Sequence, residues 1–326
     1  MTDRSHAIQT FSPGYVWPNP AFPFRLYLDD PRCRIFLLEN LTHNWDWMAK
    51  WHQGIRKTDF FLVQPGWAAD AYLVRKGREM IDALGLDIGN FYILCNEEQE
   101  VELFTQHGFA CDVINQNAWL EENGVMKILP ETKRYDAVYV GRLAPFKRHE
   151  LAAKVANLAL VAGHDDWSKA KNEAPPHAYL NEAPLTRDKV AEVINRSCAG
   201  LILSAKEGAC YASSEYLLCG VPVVSTRSVG GRHVWYNDIN SLIVDDHPDA
   251  VAEGVRHFVD NPPDPQVIRQ MHIDQAEVYR QKFIAVLQDV LNRFDAGDID
   301  AASYFRTHFF EKMRKSQRPD FPAIFG

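Results

Sequence analysis

Apolar and polar positions follow two rhythms along the first half of the chain. Short apolar runs bounded by Gly, Pro, Asn or Asp predict strands at residues 34–38, 60–63, 91–95 and 111–115. Helical spacing predicts helices at 45–55 and 70–84, and a capping box of Asn96 and Gln99 predicts a third helix that ends at Gly108. Strands that alternate with helices are typical of parallel sheets covered by helices.

The second half repeats this alternation more clearly. Apolar runs predict strands at 135–140, 200–203, 221–224 and 242–244. Helices are predicted at 148–160, 186–196, 210–218 and 248–259, followed by a helical tail to about residue 315. We therefore predict an α/β protein of two doubly wound units with a C-terminal helical tail. Ligands of doubly wound sheets bind at the carboxyl ends of the strands, so function is expected in the turns that follow the strands.

Composition narrows the class of protein. The 326 residues suffice for two domains, and 46% hydrophobic with 24% charged residues is the balance of a globular protein. Lys and Arg total 35 against 43 Asp and Glu, and the net charge of −8 argues against a nucleic-acid partner. No apolar run approaches the roughly 18 residues of a membrane span, and the N-terminus has no hydrophobic signal core. The six cysteines form no CxxC pair, so the sequence predicts a cytoplasmic protein with reduced thiols.

The turn after the strand at 135–140 carries two cations. Arg142 and Lys147 stand five residues apart, between a predicted strand and a predicted helix. Guanidinium and ammonium groups bind phosphate oxygens, and a helix N-terminus adds N–H groups and partial positive charge. The pair therefore predicts a clamp for a diphosphate, with a solvated basic turn as the alternative.

The turn after the next predicted strand carries an acid. Glu207 is followed by Gly208, which lets a ligand approach the backbone, and by Ala209 and Cys210, whose N–H groups would open the next helix. Glu215 comes eight residues after Glu207, which is about 12 Å if wholly helical. One carboxylate could bind sugar hydroxyls and the other a ribose diol. The alternative is that Glu207 caps the helix and Glu215 lies on the surface.

Three motifs in this order resemble the donor-binding half of the retaining GT-B glycosyltransferases, most closely those of family 4. They are Gly141-Arg142-Leu143-Ala144-Pro145-Phe146-Lys147, Glu207-Gly208 with Glu215, and Gly220-Val221-Pro222-Val223-Val224-Ser225. The family pattern is a Gly-Arg-Leu-x-x-x-Lys turn, a Glu-x7-Glu motif and a Gly-x-Pro-Val-Val strand. The chain departs from it in three places. Arg148 stands where Gly is common, Ala209-Cys210 where an aromatic residue and Gly are usual, and Tyr216 where Ala is usual.

The resemblance implies a fold and a separate binding role for each of its two domains. It implies two Rossmann-like domains facing a cleft, in which residues 1–130, joined by a C-terminal helix at 300–326, lie on the acceptor side. Residues 131–299 would bind the nucleotide sugar. Arg142 and Lys147 match the positions that hold the diphosphate. Glu207, helped by the backbone of Gly208, Ala209 and Cys210, matches the contact to the donor sugar, and Glu215 matches the contact to the ribose.

The resemblance also implies an activity. It is retaining, metal-independent transfer of a sugar from a nucleoside-diphosphate donor to a glycan or lipid-linked acceptor, without any cofactor. Peripheral contact with the inner face of a membrane stays open, because such acceptors are often lipid-linked. Two alternatives are a catalytically silent GT-B protein that binds a glycan or a partner, and a nucleotide-sugar epimerase or hydrolase. As a turn residue, Glu207 is expected to contribute little to stability while being essential for transfer.

Weaker candidates lie outside these motifs. Arg232 follows the strand at 221–224 and could extend the clamp or belong to a plain turn. His43 could approach the donor sugar, although a core or surface role is the simpler interpretation. Trp45, Trp47 and Trp51 could stack on sugars, but their helical spacing is also that of a core face.

Overall fold

The structure is a computed structural model that describes residues 24–163, 174–309 and 320–326. Its contacts divide the chain into two compact units. Unit 1 holds the described residues up to Trp119 together with those from Val278 to Gly326, and unit 2 is Leu120–Glu277. Each unit is built on its own sheet of mainly parallel strands.

The unit boundaries differ from those expected from the sequence, which fell after residues 130 and 299. The chain just before residue 130 belongs to unit 2, where Arg269 donates a hydrogen bond to the carbonyl oxygen of Glu122. The chain just after residue 278 belongs to unit 1, where the ring of Phe283 lies 4.8 Å from that of Trp119. Long-range packing, which no local signal reports, places both boundaries.

Unit 1 contains a five-stranded sheet in the order β1-β2-β3-β4-β5, with β1 antiparallel to β2 and the other strands parallel. The strands are β1 Phe24–Asp29, β2 Arg34–Glu39, β3 Asp59–Gln64, β4 Phe91–Cys95 and β5 Ala110–Val113. Three α-helices connect them: α1 Trp45–Trp51, α2 Ala71–Leu84 and α3 Glu98–Gln106. Because the strand order never reverses, right-handed crossovers place these helices on one face of the sheet.

The two faces of this sheet are covered by different parts of the chain. On one face, Phe36, Phe61 and Phe91 join the core formed with the helices, and the rings of Phe36 and Phe61 lie 5.2 Å apart. On the other face, the ring of Phe60 lies 6.4 Å from that of Phe294. Strand residues alternate between faces, so the C-terminal stretch supplies the second layer that the crossovers cannot.

Unit 2 contains a six-stranded parallel sheet in the order β11-β10-β9-β6-β7-β8. The strands are β6 Tyr135–Arg142, β7 Leu158–Gly163, β8 Tyr179–Leu180, β9 Ser197–Ile202, β10 Val223–Thr226 and β11 Ser241–Val244. Among the described residues of this unit, helices form at α4 Arg187–Asn195, α5 Tyr211–Leu218 and α6 Pro248–Asp260. The chain adds strands first on one side of β6 and then on the other, so the order reverses between β6 and β9. This reversal is the switch point at which doubly wound sheets bind ligands.

The C-terminal chain is mainly helical where it is described. It comprises α7 Pro265–Arg293, which begins in unit 2 and continues in unit 1, α8 Ala301–Thr307 and α9 Phe321–Phe325. Within the three described ranges, none of the helices combines the length and the apolar character needed to cross a membrane.

The predicted helix at 148–160 is wrong. Pro145–Lys147 and His149–Ala152 form two short 3-10 turns, and Leu158–Gly163 is strand β7. Arg148 separates the turns with a left-handed backbone, φ 52° and ψ 48°, which an α-helix cannot contain. The following apolar run then pairs with β6 and β8 in the sheet.

Helix ends in unit 1 follow the predictions in part. Gly85 and Gly108 both have positive φ, 66° and 82°, as expected of residues that end helices. The capping box of Asn96 and Gln99 is wrong. The backbone N–H of Asn96 instead donates to Oε2 of Glu100 at 2.7 Å, because α3 begins one residue later than the prediction placed it.

Candidate active site

A lysine and a glutamate meet at the carboxyl ends of β6 and β9. Lys147 lies in the turn after β6, and its Nζ contacts Oε1 of Glu207 in the turn after β9. The two side chains are 9% and 13% exposed, so the ion pair is largely shielded from water. The structure therefore brings together two of the predicted site residues at the point where the strand order reverses.

Arg142 is the third predicted member of this group. It is the last residue of β6, it is exposed, and its guanidinium carbon lies 5.9 Å from the centroid of the Phe146 ring. Nζ of Lys147 lies 5.4 Å from the same ring. Within the described ranges the Arg142 guanidinium makes no hydrogen bond or ion pair. Both cations thus lie near one aromatic ring, and the guanidinium of Arg142 is available to an anion.

The helix expected after Arg142 and Lys147 is absent from this turn, which is followed by 3-10 turns and β7. The contribution predicted from a helix N-terminus there is therefore wrong. The helix that does begin at the site is α5, preceded by the buried residues Gly208, Ala209 and Cys210. Its N-terminal N–H groups follow the turn that holds Glu207.

The two acids of the Glu-x7-Glu motif have different surroundings. Glu207 does not cap α5, because its carboxylate binds Lys147 and the hydroxyl of Ser204 (2.7 Å). Glu215 lies within α5 and is only 6% exposed. Only the part of the interval from Tyr211 onward is helical. The alternative of a helix cap followed by a surface acid is therefore wrong.

Residues 122–273 match the family described as glycosyl transferases group 1. This region belongs to that family. The chain thus contains a group 1 glycosyltransferase domain, in which Arg142, Lys147, Glu207 and Glu215 lie. No curated protein matches the chain in sequence.

Solved glycosyltransferases share the fold. Alpha,alpha-trehalose 6-phosphate synthase from Burkholderia multivorans is 12% identical over 83% of this chain and 73% of its own, with a TM-score of 0.55. Sucrose-phosphate synthase from Thermosynechococcus elongatus is 14% identical over 79% and 73%, with a TM-score of 0.52. The pneumococcal O-GlcNAc transferase GtfA, solved with UDP and GlcNAc, is 12% identical over 72% and 53%, with a TM-score of 0.50. At these identities the likeness shows the fold, which is GT-B.

Two departures of the group 1 domain from the family motifs fall on left-handed backbone. Arg148 has φ 52° and Cys210 has φ 55°, and both stand where the family usually has Gly. Glycine adopts this conformation without strain, whereas other residues do so at a cost. The turns of the group 1 domain therefore keep the shape that Gly would give them, at two strained positions.

The third departure is compensated by a glycine. The ring of Tyr216 packs on Gly200 of β9 so closely that a Cβ at Gly200 would lie 2.2 Å from Cδ2 of the ring. The Tyr216 hydroxyl accepts a hydrogen bond from the Val140 N–H at 2.7 Å and donates to the carbonyl oxygen of Leu201 at 3.3 Å. It therefore links β6 and β9 where their direct register ends.

Hydrogen bonds and a ring contact between neighbouring turns surround Lys147. The Tyr139 hydroxyl donates to the carbonyl oxygen of Lys147 and accepts from the N–H of Leu203 at 3.3 Å. The His149 ring stacks on that of Tyr139 with centroids 4.2 Å apart. Burial, together with the Lys147 charge, lowers the pKa of His149 to about 4, so its ring is neutral at pH 7.

Arg148 braces the same region. Its Nε donates to the carbonyl oxygen of Leu203 at 2.6 Å and its Nη2 to Oγ1 of Thr226 at 2.7 Å, while Nη1 pairs with Asp246 at 2.6 Å. The side chain thus joins the turn after β6 to the ends of β9, β10 and β11. Its spacing in the sequence gave no sign of this role.

Arg232 does not extend the clamp for a ligand. It is 1% exposed, and its guanidinium donates to Ser204, Ser225 and the carbonyl oxygens of Ile202 and Thr226. Ser204 was not expected from the sequence as a site residue. The one signal for it was a hydroxyl residue that follows β9 directly and precedes Glu207 by three positions.

The tryptophan segment of unit 1 serves as core. Trp45 and Trp47 are 0% and 9% exposed members of the core that covers one face of the sheet, and Trp51 packs against it at partial exposure. The backbone near His43 forms a 3-10 turn, and its side chain lies outside the described part of the structure.

Proposed function

We propose that this chain is a retaining, metal-independent glycosyltransferase that moves a sugar from a nucleoside-diphosphate donor to a glycan or glycoconjugate acceptor. The observation that carries the proposal is the contact of Lys147 with Glu207 at the switch point of a parallel sheet. A sugar diphosphate needs a cation for its phosphates beside an acceptor for its hydroxyls. The presence of UDP and GlcNAc in the pneumococcal transferase, which has the same fold, supports a nucleotide sugar as donor.

Fixed positive charge meets the leaving group in this proposal. Departure of the nucleotide adds negative charge to its diphosphate, and Arg142, Lys147 and the N-terminus of α5 stabilise that charge. The ammonium group of Lys147 has three N–H donors. One of them donates to Glu207, so two remain for phosphate oxygens. Protein cations can thus do what a divalent metal does in other transferases.

The two acids bind the ends of the donor. Glu207 accepts one hydrogen bond at each carboxylate oxygen within the protein, which leaves lone pairs for hydroxyls of the donor sugar. The N–H groups near Gly208, Ala209 and Cys210 lie beside it. Glu215 takes the ribose hydroxyls. The leaving phosphate accepts the proton of the acceptor on the same face, so the anomeric configuration is kept.

The acceptor and the compartment complete the proposal. The six cysteines, all within the described ranges, are free thiols, which favours a reducing compartment such as the cytoplasm. A glycan or lipid-linked acceptor then meets the enzyme there, and with a lipid-linked acceptor at the inner face of the membrane.

The test is a transfer assay with a panel of nucleotide sugars and a mixed glycan acceptor pool. We expect tight binding of UDP or GDP by calorimetry, transfer that survives excess EDTA, and a product with the donor's anomeric configuration by NMR. Loss of activity in EDTA would show that a metal takes part in the reaction. A product with inverted anomeric configuration would contradict the retaining mechanism.

Two outcomes would replace the proposal. Release of free sugar or of an isomeric nucleotide sugar, without transfer, would assign a hydrolase or an epimerase. Absence of binding to every nucleoside diphosphate would assign a silent GT-B protein that binds only a glycan or a partner.

A further inference from the structure

Glu207 is held through a relay of hydrogen bonds that begins at a buried arginine. Nη1 of Arg232 lies 2.8 Å from Oγ of Ser204, and Oγ of Ser204 lies 2.7 Å from Oε2 of Glu207. The other carboxylate oxygen, Oε1, contacts Nζ of Lys147. Arg232 and Ser204 are 1% and 0% exposed, so water does not compete for these bonds.

The direction of the relay is fixed by chemistry. A guanidinium group only donates, so Ser204 must accept from Arg232. An ionised carboxylate only accepts, so the single proton of the Ser204 hydroxyl must point to Glu207. Arg232 and Glu207 together therefore fix the direction of the Ser204 hydroxyl, and that hydroxyl holds one oxygen of Glu207.

The remaining bonds of Arg232 anchor it to the sheet. Nε donates to Oγ of Ser225 at 3.1 Å, and Nη2 donates to the carbonyl oxygens of Ile202 (3.3 Å) and Thr226 (3.0 Å), at the ends of β9 and β10. The relay thus begins on rigid backbone. The turn that holds Glu207 is also hydrogen-bonded to the segment after β10, because the N–H of Glu207 donates to the carbonyl oxygen of Val229 at 3.1 Å.

We propose that Arg232 is a positioning residue for sugar transfer, which acts through Ser204 to hold the Glu207 carboxylate in the orientation that binds the donor sugar. The inference rests on the proposed function, since it assigns Glu207 to the sugar. A carboxylate held before the substrate arrives needs no reorganisation in the transition state. The relay ends on Oε2 of Glu207, whereas Lys147, the cation proposed for the diphosphate, contacts Oε1, so we expect a larger effect on sugar transfer than on nucleotide affinity.

Two buried serines give a matched test. Ser204 and Ser225 are both 0% exposed and both accept from Arg232, but only Ser204 reaches Glu207. We expect Ser204→Ala to lower kcat about 10- to 100-fold, the value of one hydrogen bond to a charged group, with the Kd for UDP (or GDP, whichever the wild type binds) within about twofold. Ser225→Ala should leave kcat within about threefold, because Arg232 keeps its bonds to Ser204 and to the carbonyl oxygens of Ile202 and Thr226. Arg232→Lys, which cannot make the same fork, should resemble Ser204→Ala.

The outcomes separate the inference from the function on which it rests. A wild-type protein without transfer activity overturns both. An active wild type with equal kcat in Ser204→Ala and Ser225→Ala overturns the positioning role alone, as does a parallel loss of nucleotide affinity and kcat in Ser204→Ala. If an alanine variant fails to fold, Ser204→Thr and Ser204→Val form an isosteric pair that differs only in the hydroxyl. The threonine variant should then be at least about tenfold more active, and equal activity would refute the relay.

Discussion

Different kinds of side chain lie at the carboxyl ends of the parallel strands in the two units. In unit 1, Nε2 of Gln64 donates to Oδ1 of Asn96 at 3.1 Å, and Nδ2 of Asn115 donates to the carbonyl oxygen of Asn96 at 2.9 Å. In unit 2, the charged side chains of Lys147 and Glu207 meet at the corresponding strand ends. The neutral amides are fully or almost fully buried, whereas the ion pair keeps some exposure.

This difference indicates which strand ends could bind a charged ligand. Buried amides that bond to one another and to the backbone gain nothing from a phosphate, and replacing their bonds would cost free energy. An ion pair at a switch point has spare donors and acceptors on both partners. We therefore expect the donor to bind in unit 2, and the strand ends of unit 1 to serve a structural role.

The largest effect is expected at Glu207. Glu207→Gln should lower kcat about 100- to 1000-fold, because it removes the charge that faces the sugar while keeping the size of the side chain. The exposed Glu182 of the same unit supplies the control, and Glu182→Gln should leave kcat unchanged. Steady-state kinetics decide, and near wild-type turnover of Glu207→Gln would contradict the assignment.

The expectation that Glu207 matters little for stability is revised by the structure. Glu207→Ala leaves the buried ammonium of Lys147 without its partner, which should cost about 3 kcal/mol in the free energy of unfolding. Urea denaturation measures this cost. The double variant Glu207→Ala/Lys147→Ala should recover part of it, and an equal or larger loss would show that the pair is not coupled.

Opposite pH dependences should mark the two units. In unit 1, burial raises the pKa of Glu100 to about 7, so its stabilising contribution is present below the unfolded pKa of about 4.3 and is lost as pH rises through 7. In unit 2, the lowered pKa of His149, about 4, means that its contribution is present above about pH 6.5 and is lost as pH falls through 4. Each is worth up to about 3 kcal/mol.

Two variants separate these contributions. Urea denaturation between pH 4.5 and 8 should show that Glu100→Gln removes the loss of stability toward neutral pH. His149→Phe, which keeps a ring beside Tyr139, should remove the loss toward acid pH. Unchanged slopes in either variant would refute the corresponding assignment.

A smaller effect, about 100-fold in affinity, is expected at Lys147. Lys147→Ala should weaken binding of the nucleoside diphosphate about 100-fold and leave the affinity for the nucleoside almost unchanged, because the ammonium group acts on phosphate. Lys154→Ala is the control, since Lys154 is exposed and pairs with Asp249 on the surface. Calorimetry with UDP or GDP and with the matching nucleoside measures both affinities. Equal losses of affinity for both ligands would show that Lys147 does not bind the diphosphate.

The smallest effect is expected at Cys210. Because Cys210 has φ 55°, Cys210→Gly should be more stable than Cys210→Ala by about 1 kcal/mol in the free energy of unfolding. Cys219 is similarly buried but has φ −82°, so there the alanine variant should be the more stable one. Thermal or urea denaturation of the four variants tests this, and the same order at both sites would show that the backbone of Cys210 is not strained.

The sequence by itself determined the elements that depend on local pattern. The apolar runs located the strands β2 to β6 and β9 to β11, and the motifs after β6 and β9 selected Lys147 and Glu207, which meet in the structure. These features could be predicted because strand periodicity, turn residues and motif order are written along the chain. The charge types in the motifs also predict a diphosphate and a sugar as ligands.

Only the tertiary structure decided the features that join distant parts of the chain. Strand β7 follows a left-handed Arg148 and pairs with β6 and β8, so its conformation was set by neighbours and not by its own helical spacing. The relay from Arg232 through Ser204 to Glu207 joins residues up to 28 positions apart. The C-terminal stretch joins unit 1 by covering a face that local crossovers leave open. Burial and hydrogen-bond partners are properties of the folded arrangement, and no window of sequence contains them.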